Sequence, residues 1–120
     1  MSRTVTAALI GLILSLAGGL LAAGTAMGAG DAMAKGKELT FDRKKGSCLA
    51  CHMIDDGDLA GNVGPPLIAM KARYPDKAAL RAQIWDPSKA NPRSTMPPFG
   101  KHGILTEEEI DLVTEYIYSL

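Results

Sequence analysis

GSCLACHMI, residues Gly46 to Ile54, carries both cysteines of a 120-residue chain and one of its two histidines. A disulfide between Cys48 and Cys51 would close so short a loop that it gains little entropy and strains easily. Other thiol chemistries fit the spacing better. Cys-x-x-Cys-His is the pattern of covalent haem attachment: two thiols at this separation reach the two vinyl groups of one porphyrin, and the following imidazole reaches the iron. A Cys-x-x-Cys redox pair would sit where a strand runs into a helix, and no strand pattern precedes Cys48. A zinc site would need two further ligands, and only His102 is spare. The residues therefore point to one covalently held haem c, with Cys48 and Cys51 as thioethers and His52 as proximal ligand.

Working outward, a proximal His52 needs an acceptor for its second ring nitrogen. Gly64-Pro65-Pro66-Leu67 supplies a rigid turn without backbone N–H groups at the prolines, and the Pro65 carbonyl is the expected acceptor. The sixth ligand must come from Met53, Met70, Met96 or His102. Met53 adjoins the proximal His and cannot reach the other face. Met70 falls on an apolar helical stripe, where core packing is the default. Met96 stands in the proline-stiffened stretch Thr95-Met-Pro-Pro-Phe-Gly100, which makes it the expected distal ligand, with His102 as the fallback. Thioether ligation favours ferrous iron, and two protein ligands leave no open position for oxygen or peroxide chemistry.

Towards the N-terminus no charge falls between Arg3 and Asp31, and Leu9 to Leu21 is dense in Leu and Ile. Small residues follow, with Ala32-Met33-Ala34 as a cleavage site and Ala26 as an earlier one, the layout of a secretory signal peptide over residues 1–34. An uncleaved anchor is the competing reading, since such a run could span a bilayer. Both export the remainder, Lys35 to Leu120, to the periplasm as one small domain. Lys and Arg number 13, as do Asp and Glu, so no polyanionic or nucleic-acid partner is indicated. A domain of this size builds only a marginal apolar core and is expected to lean on its cofactor.

The remainder reads as an all-α domain of about four short helices. One is expected over Lys37–Lys45, leading into the cysteines, and a second from Pro66 with Leu67, Met70 and Tyr74 on one face. Asp76 is a helix N-cap for a third, ending at Trp85 before Asp86-Pro87. Pro87 to Gly103 is an extended loop. Thr106 to Glu109 forms a capping box for the last helix, with Ile110, Val113, Ile117 and Leu120 as its apolar stripe. Asp55, Asp56 and Asp58 read as a solvated turn. Trp85 is expected to pack beside the cofactor, its N–H available to a haem propionate, and Lys44 and Lys45 are candidates for steering a redox partner.

The ordered set resembles small monohaem cytochromes c over nearly the whole of Lys35 to Leu120. More narrowly, Lys45 to His52, Gly61-Asn-Val-Gly-Pro-Pro-Leu67, Met70 with Arg73, Asn91-Pro92, Met96 to Gly100 and Ile104-Leu-Thr106 resemble SoxX, the monohaem subunit family of periplasmic SoxAX cytochromes. That resemblance implies a SoxA-like cytochrome subunit as heterodimer partner. It also implies a place in oxidative coupling of thiosulfate to a cysteine of the SoxYZ carrier protein, an L-cysteine S-thiosulfotransferase reaction. Some members are longer around the haem domain than this chain. If both cysteines are thioethers, no thiol remains to act as nucleophile, so the sulfur chemistry falls to another subunit and electrons leave singly to a downstream cytochrome. A free-standing periplasmic electron carrier is the alternative. A haem peroxidase or sensor would need an open iron position.

Overall fold

The computed structural model describes residues 27–120; the expected leader core from Leu9 to Leu21 and the Ala26 site lie outside the described residues. Helices α1 (Ala29–Phe41), α2 (Met70–Arg73), α3 (Lys77–Trp85) and α4 (Glu107–Ser119) are joined by loops containing 3₁₀ turns at Cys48–Ala50 and Pro87–Lys89. No strand occurs among the described residues, in line with the all-α expectation. Nor is any helix there long and apolar enough to cross a membrane.

Helix α4 is the centre of the frame and touches each of the other three helices. The expected capping box starts it: the Glu109 N–H donates to Thr106 Oγ1 at 3.2 Å, and the Thr106 N–H donates to the Glu109 carboxylate at 3.0 Å. Ile110, Val113 and Ile117 are buried along its inner stripe, joined by Tyr116 and Thr114, which the apolar pattern did not mark. Thr114 can be buried because its hydroxyl donates to the Ile110 carbonyl at 2.7 Å. Helix α3 matches its expected bounds, with the Asp76 carboxylate accepting the Ala78 N–H at 2.9 Å. Exposed pairs, Lys77 with Glu115 and Arg81 with Asp111, lie between α3 and α4. Such pairs add little stability.

Helices α1 and α4 meet backbone to backbone. At Gly36 a Cβ would stand 2.1 Å from the Leu112 carbonyl oxygen and 3.0 Å from Tyr116 Cβ, so the crossing distance requires glycine. Next to it the Thr40 hydroxyl, fully buried, donates to the Gly36 carbonyl at 2.8 Å. Phe41 meets Tyr116 edge to face with ring centroids 6.0 Å apart.

Two expected boundaries differ. Helix α1 covers Ala29–Phe41 rather than Lys37–Lys45, and so runs through the Ala34 boundary placed between leader and domain. Ala32 N–H bonds to the Gly28 carbonyl at 3.0 Å, and Met33 packs against the core. The first turns of the helix, Ala29 to Ala34, continue the small-residue composition of the leader flank, which hides the junction. The helix ends at Phe41 because Asp42 folds the chain back. Its carboxylate accepts the Lys44 N–H at 2.8 Å, and its carbonyl accepts those of Lys45 and Ser47 at 3.1 and 2.9 Å. The helix expected from Pro66 begins only at Met70. Ala69 adopts a left-handed conformation (φ 50°), which interrupts any helical path from Pro66, while the Leu67 N–H donates across to the Met53 carbonyl at 2.8 Å.

Candidate haem-binding site

Cys48, Cys51, His52, Pro65 and Met96, singled out from sequence, all line one cavity of ≈ 540 Å³. That volume falls within the roughly 300–1,000 Å³ of ligand sites. Leu80, Ile84, Phe99, Val113 and Ile117 supply its apolar wall, so α3 and α4 form the floor on which the loops stand. The cavity wall does not include His102, which is exposed, or Met53. Met70 does line it, but is 1 % exposed with its thioether sulfur accepting from Arg73 Nη1 at 3.5 Å.

The cysteine segment is shaped locally. Ser47 adopts a left-handed conformation (φ 49°) that turns the chain into the 3₁₀ turn, and the N–H groups of Cys51 and His52 both bond to the Cys48 carbonyl. Gly64 then closes over the motif: its N–H bonds to the Cys51 carbonyl at 2.8 Å, and a Cβ there would stand 2.4 Å from His52 Cε1. The imidazole thus lies directly against the Gly64 backbone, and its Nδ1 is 2.7 Å from the Pro65 carbonyl oxygen. A carbonyl can only accept, so Nδ1 carries the proton and Nε2 keeps its lone pair. This is the orientation a metal-binding histidine needs.

No bridge joins Cys48 to Cys51. Burial, helped by the neighbouring Cys51, pushes the Cys48 thiol up to about 11. A redox dithiol requires the reverse, a thiol lowered by cations or a helix N-terminus. Among the described residues no three His, Cys, Asp or Glu side chains are grouped to hold a bare metal ion, so the zinc alternative finds no ligand set.

Met96 is carried by the long loop from Pro87 to Gly103, which both ends of α3's exit hold in place. The Trp85 carbonyl accepts the N–H groups of Gly100 and Lys101, each at 3.2 Å. The Asp86 carboxylate accepts from the Ser88 hydroxyl at 2.5 Å and pairs with Lys101 Nζ at 3.1 Å. Ser88 first, then Lys101, hold the Asp86 carboxyl below the usual range. At the apex the Met96 N–H bonds to Ser94 Oγ at 3.2 Å. A loop with so many prolines is therefore anchored rather than slack.

The family description "Cytochrome c" matches residues 33–120. The chain belongs to the cytochrome c family. As a cytochrome c it has the family's fold, and membership implies electron transfer by haem c. An uncharacterized lipoprotein of Aquifex aeolicus (strain VF5) is 41 % identical over 76 residues, covering 62 % of this chain and 37 % of that protein. This cytochrome c therefore spans little more than a third of that relative's length.

The residues present fit a haem c group. Two thiols, an imidazole whose free nitrogen is Nε2 and a thioether converge on an apolar cavity. Three readings shift. Trp85 does not line the cavity; its ring packs on Gly100 with the Arg81 guanidinium 5.6 Å from its centroid. Lys45 pairs with Glu109 at 2.9 Å, tying the motif to the start of α4. Asp56 is more than a solvated turn residue, since it pairs with Lys37 and accepts from the Tyr116 hydroxyl at 2.9 Å. Arg73 and Gly64 appear in the sequence only within the motifs that carry the resemblance, and Gly64 also before Pro-Pro, with no role at the site assigned to either.

Proposed function

We propose that this cytochrome c would hold one haem, with Cys48 and Cys51 as the covalent attachment and His52 (proximal) and Met96 (distal) as the residues that would ligate its iron. On this reading it serves as the electron-accepting subunit of a SoxAX-type complex in the periplasm. The observation that carries the haem assignment is the convergence of the thiol pair, the oriented His52 and Met96 on one cavity. When bound, the haem supplies a one-electron Fe(III)/Fe(II) couple. The chain's own residues do the rest. Pro65 and Gly64 hold the imidazole with its proton on Nδ1, the anchored loop presents Met96, and the apolar floor from α3 and α4 excludes water. A thioether ligand and a low-polarity wall both favour the ferrous state.

The narrower reading is supported by the order and spacing of the motifs and by the thiol count. With Cys48 and Cys51 committed to thioethers, no nucleophilic sulfur remains among the 120 residues. Thiosulfate coupling would take place on a SoxA-like partner and the SoxYZ carrier, releasing two electrons. This subunit would pass them singly to a downstream cytochrome. Because α1 begins at Ala29 and runs through Ala34, cleavage after Ala26 leaves the domain whole, whereas cleavage after Ala34 removes the first turn and more. The intact mass of the exported protein distinguishes the two.

Optical spectroscopy tests the ligands. Met96→His is expected to abolish the methionine–ferric haem charge-transfer band, whereas Met70→Leu keeps it; the opposite result overturns the Met96 assignment. Copurification tests the complex. A monomeric haem protein without a tight cytochrome partner, in an extract that oxidises thiosulfate, would replace the subunit by a free-standing electron carrier.

A further inference from the structure

The two peptide units flanking Pro66 are held in different ways. The Pro65–Pro66 unit has no N–H, and its oxygen is the acceptor for His52 Nδ1 at 2.7 Å. The Pro66–Leu67 unit is clamped at both ends. Its oxygen accepts from Arg73 Nη1 at 2.7 Å, and its N–H donates to the Met53 carbonyl at 2.8 Å. The pyrrolidine ring of Pro66 closes φ near −65°, so a single torsion, ψ of Pro66, separates the clamped plane from the plane that meets His52. A proline here transmits the orientation of one peptide unit to the next.

Arg73 is itself well placed to be a fixed donor. It lies on α2, three residues after fully buried Met70, and the same Nη1 that reaches Pro66 also contacts the Met70 sulfur at 3.5 Å. A charged donor to a carbonyl is stronger than a neutral one. We infer that Arg73 is a positioning residue for the proximal ligand: through the Pro66 carbonyl it fixes the direction of the Pro65 carbonyl and so keeps His52 Nδ1 bonded. The inference rests on reading His52 as the iron ligand. It also gives a reason for a cation to line this apolar cavity that does not depend on Arg73 touching the cofactor.

The test is the solvent-exchange rate of the His52 Nδ1 proton, followed by NMR in the reduced, diamagnetic holoprotein. In Arg73→Leu this proton is expected to exchange about tenfold faster, the factor that corresponds to one ordinary hydrogen bond. Backbone amides of α4 should keep their wild-type rates. Arg73→Lys restores slow exchange, because an ammonium can donate to the same carbonyl. An unchanged Nδ1 rate in Arg73→Leu overturns the inference, and so does acceleration shared by the α4 amides, which would mean general loosening. Failure of the underlying reading looks different: a wild-type protein lacking a six-coordinate low-spin haem spectrum would remove His52 and Met96 as ligands before any variant is made.

Discussion

Gly36 and Gly64 both stand where a side chain has no room, yet they close different parts of the molecule. At Gly36 a Cβ would meet the Leu112 carbonyl oxygen at 2.1 Å, one helix backbone against another. At Gly64 it would meet the His52 ring at 2.4 Å, a loop backbone against a side chain. The frame built by α1 and α4 has no soft partner at its contact point, because Leu112 is locked in a helix. The site does have one, since the protein holds the imidazole through a single hydrogen bond, to Pro65. Damage to the frame should therefore appear as lost stability, and damage to the site as a lost orientation.

The largest expected effect follows from the frame. Gly36→Ala gains about 1 kcal/mol of helix propensity, but forces α1 away from α4 at an overpacking cost of typically 1–3 kcal/mol or more. With Leu112 unable to yield, the cost falls at the upper end of that range and a net loss of about 2 kcal/mol in denaturant unfolding is expected, with the haem spectrum of the folded fraction unchanged. Gly64→Ala should reverse that pattern. Pushing His52 off its preferred rotamer costs about 1 kcal/mol, but the Nδ1 proton loses Pro65 and exchanges freely. Equal stability losses at the two glycines, or an undisturbed His52 proton in Gly64→Ala, would erase the distinction between frame and site.

The same division decides what could be read from the sequence. Helix α3 and the start of α4 were legible to the residue, because Asp76 and the Thr106–Glu109 box are local chemistry that the nearest backbone satisfies. The thiol pair, His52, Pro65 and Met96 stand out in the sequence because each is a local pattern, and the fold brings them to one cavity. What stayed hidden depends on partners far along the chain. Nothing near Pro66 announces that Ala69 will turn left-handed and delay the helix to Met70, or that Leu67 will bond to Met53. Nothing near Asp56 announces Lys37, nineteen residues earlier, or Tyr116, sixty residues later. Trp85 packs against the core, as its aromatic ring suggests, but on Gly100 and Arg81 rather than on the cavity wall.

Asp56 is also where frame and site are joined, which gives the two smaller predictions. Burial first, and the Asp56 carboxylate second, push the Tyr116 phenol well above its ordinary value, so its hydroxyl stays a donor throughout the stable range. Tyr116→Phe removes one hydrogen bond and leaves the ring packed on Phe41, an expected loss of about 1 kcal/mol in denaturant unfolding. A neutral result would mean that water takes over the bond to Asp56.

The smallest effect is the pH dependence of that contact. The Lys37 ammonium, then the Tyr116 hydroxyl, hold the Asp56 carboxyl below the usual carboxylate range. A carboxyl lowered in the folded state stabilises the fold fully above its unfolded value, and that contribution is lost as pH falls from there through the folded value. Unfolding midpoints should thus be flat from neutrality down to the ordinary carboxylate range and decline below it. Glu109, lowered by the Thr106 N–H and then Lys45, and Asp86 contribute with the same sign. Asp56→Asn keeps an acceptor for Tyr116 but removes the charge facing Lys37, so its decline should be shallower than that of the wild type. The difference will be small and will shrink with added salt, because the Asp56 side chain is 47 % exposed. Identical slopes in the two proteins would place the acid sensitivity at carboxyls other than Asp56, Glu109 at the α4 cap and Asp86 at the anchor of the Met96 loop among them.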